Sequence, residues 1–507
     1  MISLRRIVGI IAVFVLVGSA YGGDLSIDTK YYSVSGLFTN PLIPAEAQTV
    51  KITVRATIEG EITGKIKANV SIATPGGEVI NKMVSLKLDK KGTTATEWVP
   101  AKRKGRFRLG NSKKTATGFV EWKALSNGQY FVTATLDPNN EIAESNENNN
   151  VGTIELPVVI DGRQPHFPWY GSEKHLRWAT IWSCSGQSNV EQWRERGVKA
   201  LAFKGAKIPE GGTANTISEG LQKNIEYYDG IGIDECGGYL TQATLDYYKL
   251  FMAGLKNAKE KHPDKFFYVW HSGSSYPEQT ALYRGRCDLV VAESYVFYWG
   301  PLQLGRENIY NSLDARMLPA WQADLLVPTG KGTQFITSVD LTNTGVHKGS
   351  LGAFNRGKME AIVRHLRRKW PEMRGLGFYH STASVADDQF IESLLRDYFI
   401  MPLVTVLPGN LWVNKQDDGS YLITAAVSNI GGMDSGPVAV NIYVDGKLLK
   451  ATMVPKVPAG NNLLENQLRI EAPWKPQSGG YDLMVKLGPV SGSTVLDHKQ
   501  TTTYYVP

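Results

Sequence analysis

The stretch Tyr227–Gly238, YYDGIGIDECGG, limits the fold of this chain more than any other. The run Gly230-Ile231-Gly232-Ile233 carries no polar side chain, so both faces of that segment need cover. Two adjacent carboxylates, Asp234 and Glu235, end the run. Glycines follow, and an amphipathic pattern extends from about Leu240 to Lys261. A strand buried on both faces that turns straight into a helix belongs to a parallel sheet with helical crossovers.

The same alternation fills residues 163–401. Short apolar strands are expected at Leu176–Trp182, Ala200–Lys204, Gly230–Asp234, Phe266–His271, Leu289–Tyr295, Met317–Ala323 and Gly375–His380. Helical patterns separate them at Val190–Arg196, Ile217–Tyr227, Leu240–Lys261, Glu278–Arg284, Leu302–Ala315, Asn355–Lys369 and Asp387–Phe399. Seven strands in a stretch of this length suit a (β/α)8 TIM-like barrel, with Gln334–Val339 the candidate for the eighth. A doubly wound sheet is the alternative fold, and no Gly-rich phosphate loop supports it.

The flanks follow a different period. Residues 23–162 alternate apolar and polar residues between turns, as in Thr49–Ile58 and Gln129–Leu136, with no long helical pattern. Residues 402–507 repeat the style, with an Asp445-Gly446 hairpin signal. Both flanks are expected to be all-β sandwiches of immunoglobulin size. The run Gly128–Asp137 followed by Ile142-Ala-Glu-Ser-Asn-Glu-Asn-Asn149 resembles the closing hairpin of CARDB-type bacterial adhesion modules. AVSNIGGMDSGPVAVNIYVDGKLL in the C-terminal flank is similar to the first strands of such a module. The resemblance implies modules that hold chains together or contact surfaces and glycans, with no chemistry of their own.

Arg5 and Arg6, an apolar stretch from Ile7 to Val17 and small residues at Gly18, Ser19, Ala20 and Gly22 have the layout of a secretory signal peptide spanning residues 1–22. Its apolar core falls short of the ~20 residues that span a bilayer. The expected location is secreted or periplasmic, with no stable membrane insertion after cleavage. The net charge of +7 on 507 residues is small, and the basic clusters Lys102–Arg108 and Arg364–Lys369 come with no nucleic-acid-binding motif, so no nucleic-acid partner is expected. The three cysteines, Cys184, Cys236 and Cys287, lack zinc-ligand spacing; neither a metal nor a cofactor is expected.

Chemistry gathers at the expected strand ends. Trp182, Lys204, Asp234 with Glu235, Trp270 with His271, Glu293 with Tyr295 and Trp299, Trp321 with Gln322 and Asp324, and Tyr379 with His380 would share one rim if the strands are parallel. Active sites of α/β barrels sit at that end. Glycoside cleavage needs one carboxyl group to protonate the leaving oxygen and a second to attack the anomeric carbon or activate water. Glu235 and Glu293 are the expected pair, Asp234 is the neighbour that orients a hydroxyl or acts itself, and Asp324 is the reserve. Trp182, Trp270, Trp299 and Trp321 would stack on pyranose faces. His271, His380, Lys204, Tyr295, Gln322 and Tyr379 would bind hydroxyls. With these residues in view, the central segment resembles TIM-barrel glycoside hydrolases, and DGIGIDE is similar to the chitinase-like Asp-Gly-x-Asp-x-Asp-x-Glu strand. Gly232 stands where that pattern has Asp, and no residue separates Asp234 from Glu235, so no chitinase mechanism carries over. The resemblance implies a secreted enzyme acting on a poly- or oligosaccharide. A metal-dependent hydrolase on the same barrel and a non-catalytic glycan-binding or adhesion protein are the other two readings.

Overall fold

The structure, a computed structural model, describes residues 23–29, 32, 35–90, 98–100, 107–109, 113–170, 177–184, 190–237, 242–272, 276–293, 306–323, 325, 333–340, 355–379, 385–460, 466–488, 494–496 and 499–507. The expected signal segment lies outside the described residues.

Eight parallel strands close into a barrel. They are β1 (Pro168–Tyr170), β2 (Ile181–Cys184), β3 (Lys199–Gly205), β4 (Gly230–Asp234), β5 (Phe266–His271), β6 (Leu289–Glu293), β7 (Gln334–Asp340) and β8 (Gly377–Tyr379). Each pairs with the next, and β8 closes on β1 through Trp169 opposite Phe378. Seven α-helices lie among the described residues: α1 (Val190–Glu195), α2 (Ala214–Gln222), α3 (Gln242–Lys261), α4 (Pro277–Ala281), α5 (Arg306–Gln322), α6 (Arg356–Lys369) and α7 (Val385–Leu395). The first six separate successive strands from β2 to β8, and α7 follows β8. This is the covered parallel sheet that the apolar strand at 230–233 demanded.

One strand assignment changes and one strand is added. Of the expected strand Met317–Ala323, Met317–Gln322 is the end of α5 and Ala323 is in the turn after it. Leu313, Met317 and Ala320 are fully buried while Leu318 and Trp321 are exposed, which is the 3.6-residue period of a helix face. The short run MLPAWQA is apolar enough to read either way in isolation. Gln334–Asp340 is a barrel strand, where Gln334–Val339 was the expected candidate. The eighth strand is β1, three residues containing a proline, which gives almost no periodic signal.

On the N-terminal side two antiparallel sheets face each other. One contains Thr49–Glu59 and Lys114–Lys123, the other Lys67–Ala73, Val79–Ser85, Gly128–Leu136 and Val151–Val158. Their inward residues, among them Val50, Ile52, Val54, Val70, Ile72, Val132 and Leu156, form one core. The turn singled out at 137–150 staples the edge strand Asp24–Ser26. The Glu144 carboxylate accepts from the Leu25 N–H at 2.7 Å, Asn149 Nδ2 donates to Asp24 at 2.8 Å, and Asp137 accepts from the Ile142 N–H at 2.7 Å. The C-terminal segment builds a second pair of antiparallel sheets around Val404, Ile423, Val440, Ile442, Leu483 and Val485.

The barrel core is not private to the barrel. Phe38, Leu42, Ile43 and Val159 enter it from the N-terminal side, and Ile430, Met433 and Leu496 from the C-terminal side. Buried arginines stitch the joints. Arg196 donates to the carbonyls of Tyr32 and Ser35, and Arg367 donates to the carbonyl of Ile430. The flanks also meet each other, through Asp434 N–H to Asn127 Oδ1 at 2.8 Å and Ile160 N–H to the Gly432 carbonyl at 2.9 Å.

Candidate active site

Strand alternation decides which side chains reach the barrel interior. On β5 the rings of Tyr268 and Trp270 both point inward and are fully buried. The Tyr268 hydroxyl hydrogen-bonds Ser183 on β2, across the barrel. A Cβ at Gly232 would lie 2.3 Å from the Tyr268 ring, so only glycine leaves β4 room for it. A Cβ at Gly377 would lie 2.7 Å from Val291 and 3.4 Å from the Trp270 ring. The aromatic rings thus pack against two glycines and floor the interior in successive layers. The rings stand edge-to-face, their centroids 6.2 Å apart.

Above this floor, at the carboxyl end, the alternation that places Gly232 inward places Asp234 inward. That which places Val291 inward does the same for Glu293, and Gly377 does so for Tyr379. Asp234, Glu293 and Tyr379 are all half-buried. One strand, β5, separates β4 from β6, so the backbones bearing the two carboxylates stand roughly 10 Å apart. β7 ends on Asp340, paired with Tyr379 of β8. FITSVD repeats the pattern of an apolar strand running into an acid, and this signal would have added Asp340 to the expected rim.

The two adjacent acids are now distinguishable. Burial, and then the charge of Glu235, push the Asp234 carboxyl up to about 6 from 3.8, although the Glu235 N–H donates to it. Glu235 is exposed and its backbone sits in the left-handed region, φ +50°. The strand ends at Asp234, and the next N–H, of Cys236, donates to the Trp270 carbonyl of β5 at 2.9 Å. Asp234 therefore has the environment of a proton-holding carboxyl.

Several expected site residues fall elsewhere. Trp182 faces outward and packs on Trp193 of α1 with centroids 5.1 Å apart, within a small cluster with Val198, Ala200 and Tyr228. Lys204 lies on the outer face of β3 with Nζ donating to the Lys223 carbonyl at 3.0 Å; it is on the opposite face from Glu293. His271 is fully buried outside the barrel wall, its Nδ1 2.7 Å from the Tyr283 hydroxyl, which in turn donates to the Cys236 carbonyl. Trp270 belongs to the floor. Trp321 and Gln322 are exposed on the last turn of α5. Tyr295, Trp299, Asp324 and His380 lie outside the described residues, as do segments 238–241, 273–275, 294–305, 341–354 and 380–384, which follow β4 to β8. Cys236 and Cys287 are buried free thiols. Among the described residues no group of three or more His, Cys, Asp or Glu side chains is arranged to hold a metal ion.

Residues 108–154 match the CARDB family. No curated protein sequence matches the chain. Among solved structures, a CARDB domain from Pyrococcus furiosus, determined with two metal ions, is similar at 21% identity and TM-score 0.19, covering 28% of this chain and 96% of its own. A β-glucuronidase from Bacteroides uniformis is similar at 12% identity and TM-score 0.32, over 95% of this chain and 62% of the other, so this chain spans less than two thirds of its length. A cycloisomaltooligosaccharide glucanotransferase from Paenibacillus sp. is similar at 9% identity and TM-score 0.33, over 93% of this chain and 71% of the other.

Proposed function

We propose that this chain is a secreted glycoside hydrolase, with the barrel over residues 163–401 as its catalytic unit. Asp234 holds the proton for the leaving glycosidic oxygen, and Glu293 is the second carboxylate, acting on the anomeric carbon or its water. The observation that carries this is the pairing of two inward, half-buried carboxyl groups at the carboxyl ends of β4 and β6, one of them raised to about 6. A carboxyl at that value stays protonated in mildly acidic solution, as a general acid must. Tyr379 stands on the same rim as a hydroxyl partner for the substrate.

The wider assignment follows the same reading. The barrel is a (β/α)8 fold, flanked by immunoglobulin-like modules at 23–162 and 402–507, both of CARDB type, behind a cleaved leader at 1–22. The CARDB match at 108–154 and the paired antiparallel sheets support the modules. The substrate is a poly- or oligosaccharide met outside the cytoplasm.

The test is a panel of polysaccharides and oligosaccharides scored for new reducing ends. Asp234→Asn and Glu293→Gln are each expected to lower turnover by about 10²–10⁴ with folding intact. Glu235→Gln is expected to keep activity. Glycan binding without cleavage across the panel would shift the reading to an adhesion protein, and Glu235→Gln alone losing activity would move the catalytic role back to that residue.

A further inference from the structure

Asp234 has a neighbour on either side in its layer of the barrel. Strand register sets Gly205 of β3 opposite it, and the pair Ile233 with Val269, continued by one residue, sets Trp270 of β5 level with it. The two sides differ. The Trp270 indole is fully buried and fills its side. Gly205 has no side chain and is exposed. It shares the inward parity of Asp234, since Lys204, one residue earlier, points out to the Lys223 carbonyl. Among the described residues, a Cβ built at Gly205 would meet only the Lys207 side chain, 3.7 Å from Cε and 3.8 Å from Cγ. Those are ordinary van der Waals distances, and the backbone of Gly205 is outside the left-handed region. Neither crowding nor backbone strain therefore demands glycine here, in contrast to Gly232. The missing side chain leaves a notch in the rim beside the Asp234 carboxyl.

The outer wall of the notch is held in place. The Tyr247 hydroxyl of α3 donates to the Ala206 carbonyl and accepts from the Ile208 N–H, each at 3.1 Å. The Ala206 N–H donates to the Asp234 carbonyl at 3.2 Å, and the Lys207 N–H to the Gly205 carbonyl at 2.9 Å. These four bonds tie the backbone that carries Lys207 to α3 on one side and to the end of β4 on the other.

A direction for the substrate follows, and it rests on the roles proposed above. In glycoside cleavage the two carboxyl groups flank the scissile bond. The anomeric carbon faces Glu293 on β6, and the leaving oxygen takes its proton from Asp234 on β4. The line from Glu293 to Asp234, carried on by one more strand or about 4.8 Å, crosses β3 at Gly205. The sugar attached to the leaving oxygen lies on that side.

We infer that the notch over Gly205, walled by Lys207, is the subsite for the leaving-side sugar, and that a bare glycine there is what admits a whole sugar ring as leaving group. A glycan chain then crosses the barrel mouth with its reducing end over β3 and its non-reducing end over β6.

Two substrates test this on the full chain. One is the panel oligosaccharide that the parent cleaves fastest. The other is the glycosyl fluoride of the sugar on the non-reducing side of the cleaved bond, whose leaving group is a single atom. Gly205→Leu fills the notch, and is expected to lower kcat/KM for the oligosaccharide by about 10²-fold and to leave fluoride hydrolysis near the parent rate. Lys207→Ala, which leaves Asp234 and its neighbours in place, is expected to raise KM for the oligosaccharide by about fivefold with kcat kept, and to leave the fluoride unchanged. If Gly205→Leu fails to fold, Lys207→Ala carries the test. The inference is overturned if Gly205→Leu cleaves the oligosaccharide as the parent does or slows both substrates alike, or if Lys207→Ala leaves KM unchanged. A parent that cleaves nothing in the panel overturns the proposed function and the subsite together; an active parent with either of those variant results overturns the subsite alone.

Discussion

Asp234→Asn should stabilise the protein at neutral pH while destroying its activity. The carboxyl of Asp234 is shifted from 3.8 to about 6, chiefly by burial. Its folded-state value lies above its unfolded one, so between those values the folded chain keeps a proton that the unfolded chain has released. Stability therefore falls as pH rises through that window, and the whole penalty is present above about 6. For a fully buried group, a rise from 3.8 to about 6 would amount to about 3 kcal/mol. Asp234 is only half-buried, and solvent screening cuts that to on the order of 1 kcal/mol. Asparagine keeps the shape and the acceptor for the Glu235 N–H but never ionises. Urea unfolding of parent and variant at about pH 7.5 and about pH 4 reads the effect. The variant should gain on the order of 1 kcal/mol at the higher pH and little at the lower one. A variant less stable than the parent at pH 7.5, or a gain that does not change with pH, would refute the account of why this carboxyl is raised.

Four other expectations are simpler to state. With Asp234 as the proton donor, kcat/KM should fall as pH rises past about 6, and the pH–rate profile checks this. Gly232→Ala drives a methyl into the Tyr268 ring and should cost about 1–3 kcal/mol of stability, read in a melt. Trp182→Ala should cost about 3–5 kcal/mol by opening the cluster with Trp193, and should leave KM for glycan unchanged in protein that still folds. Trp321→Ala, on an exposed helix turn, should change stability by less than about 0.5 kcal/mol and leave glycan binding intact, which an affinity gel would show.

The parts of this structure legible in the sequence are those where a period is long or a run is emphatic. GIGIDE and LVVAE announce buried strands ending in acids, and both are barrel strands. The flanking alternation announces paired antiparallel sheets. β1 was silent because three residues carry no period, and the end of α5 misled because MLPAWQA is too short to separate a period of 2 from one of 3.6. The harder question was direction. Trp182 and Lys204 do sit on barrel strands, but on the outer face. Which parity faces inward is set by Tyr268 and Trp270 filling the interior against Gly232 and Gly377, a contact between strands that no single segment reveals.

The hydrogen bonds from Arg196 to Tyr32 and Ser35, from Arg367 to Ile430, and from Asp434 to Asn127 join the three segments in a cycle. Recombination that moved the barrel alone into another gene would deliver guanidinium groups stripped of their acceptors, and apolar side chains stripped of Phe38 and Met433. The smallest heritable cassette is therefore the trio, and rearrangements of this architecture should be found to break at its outer edges and not at its internal seams.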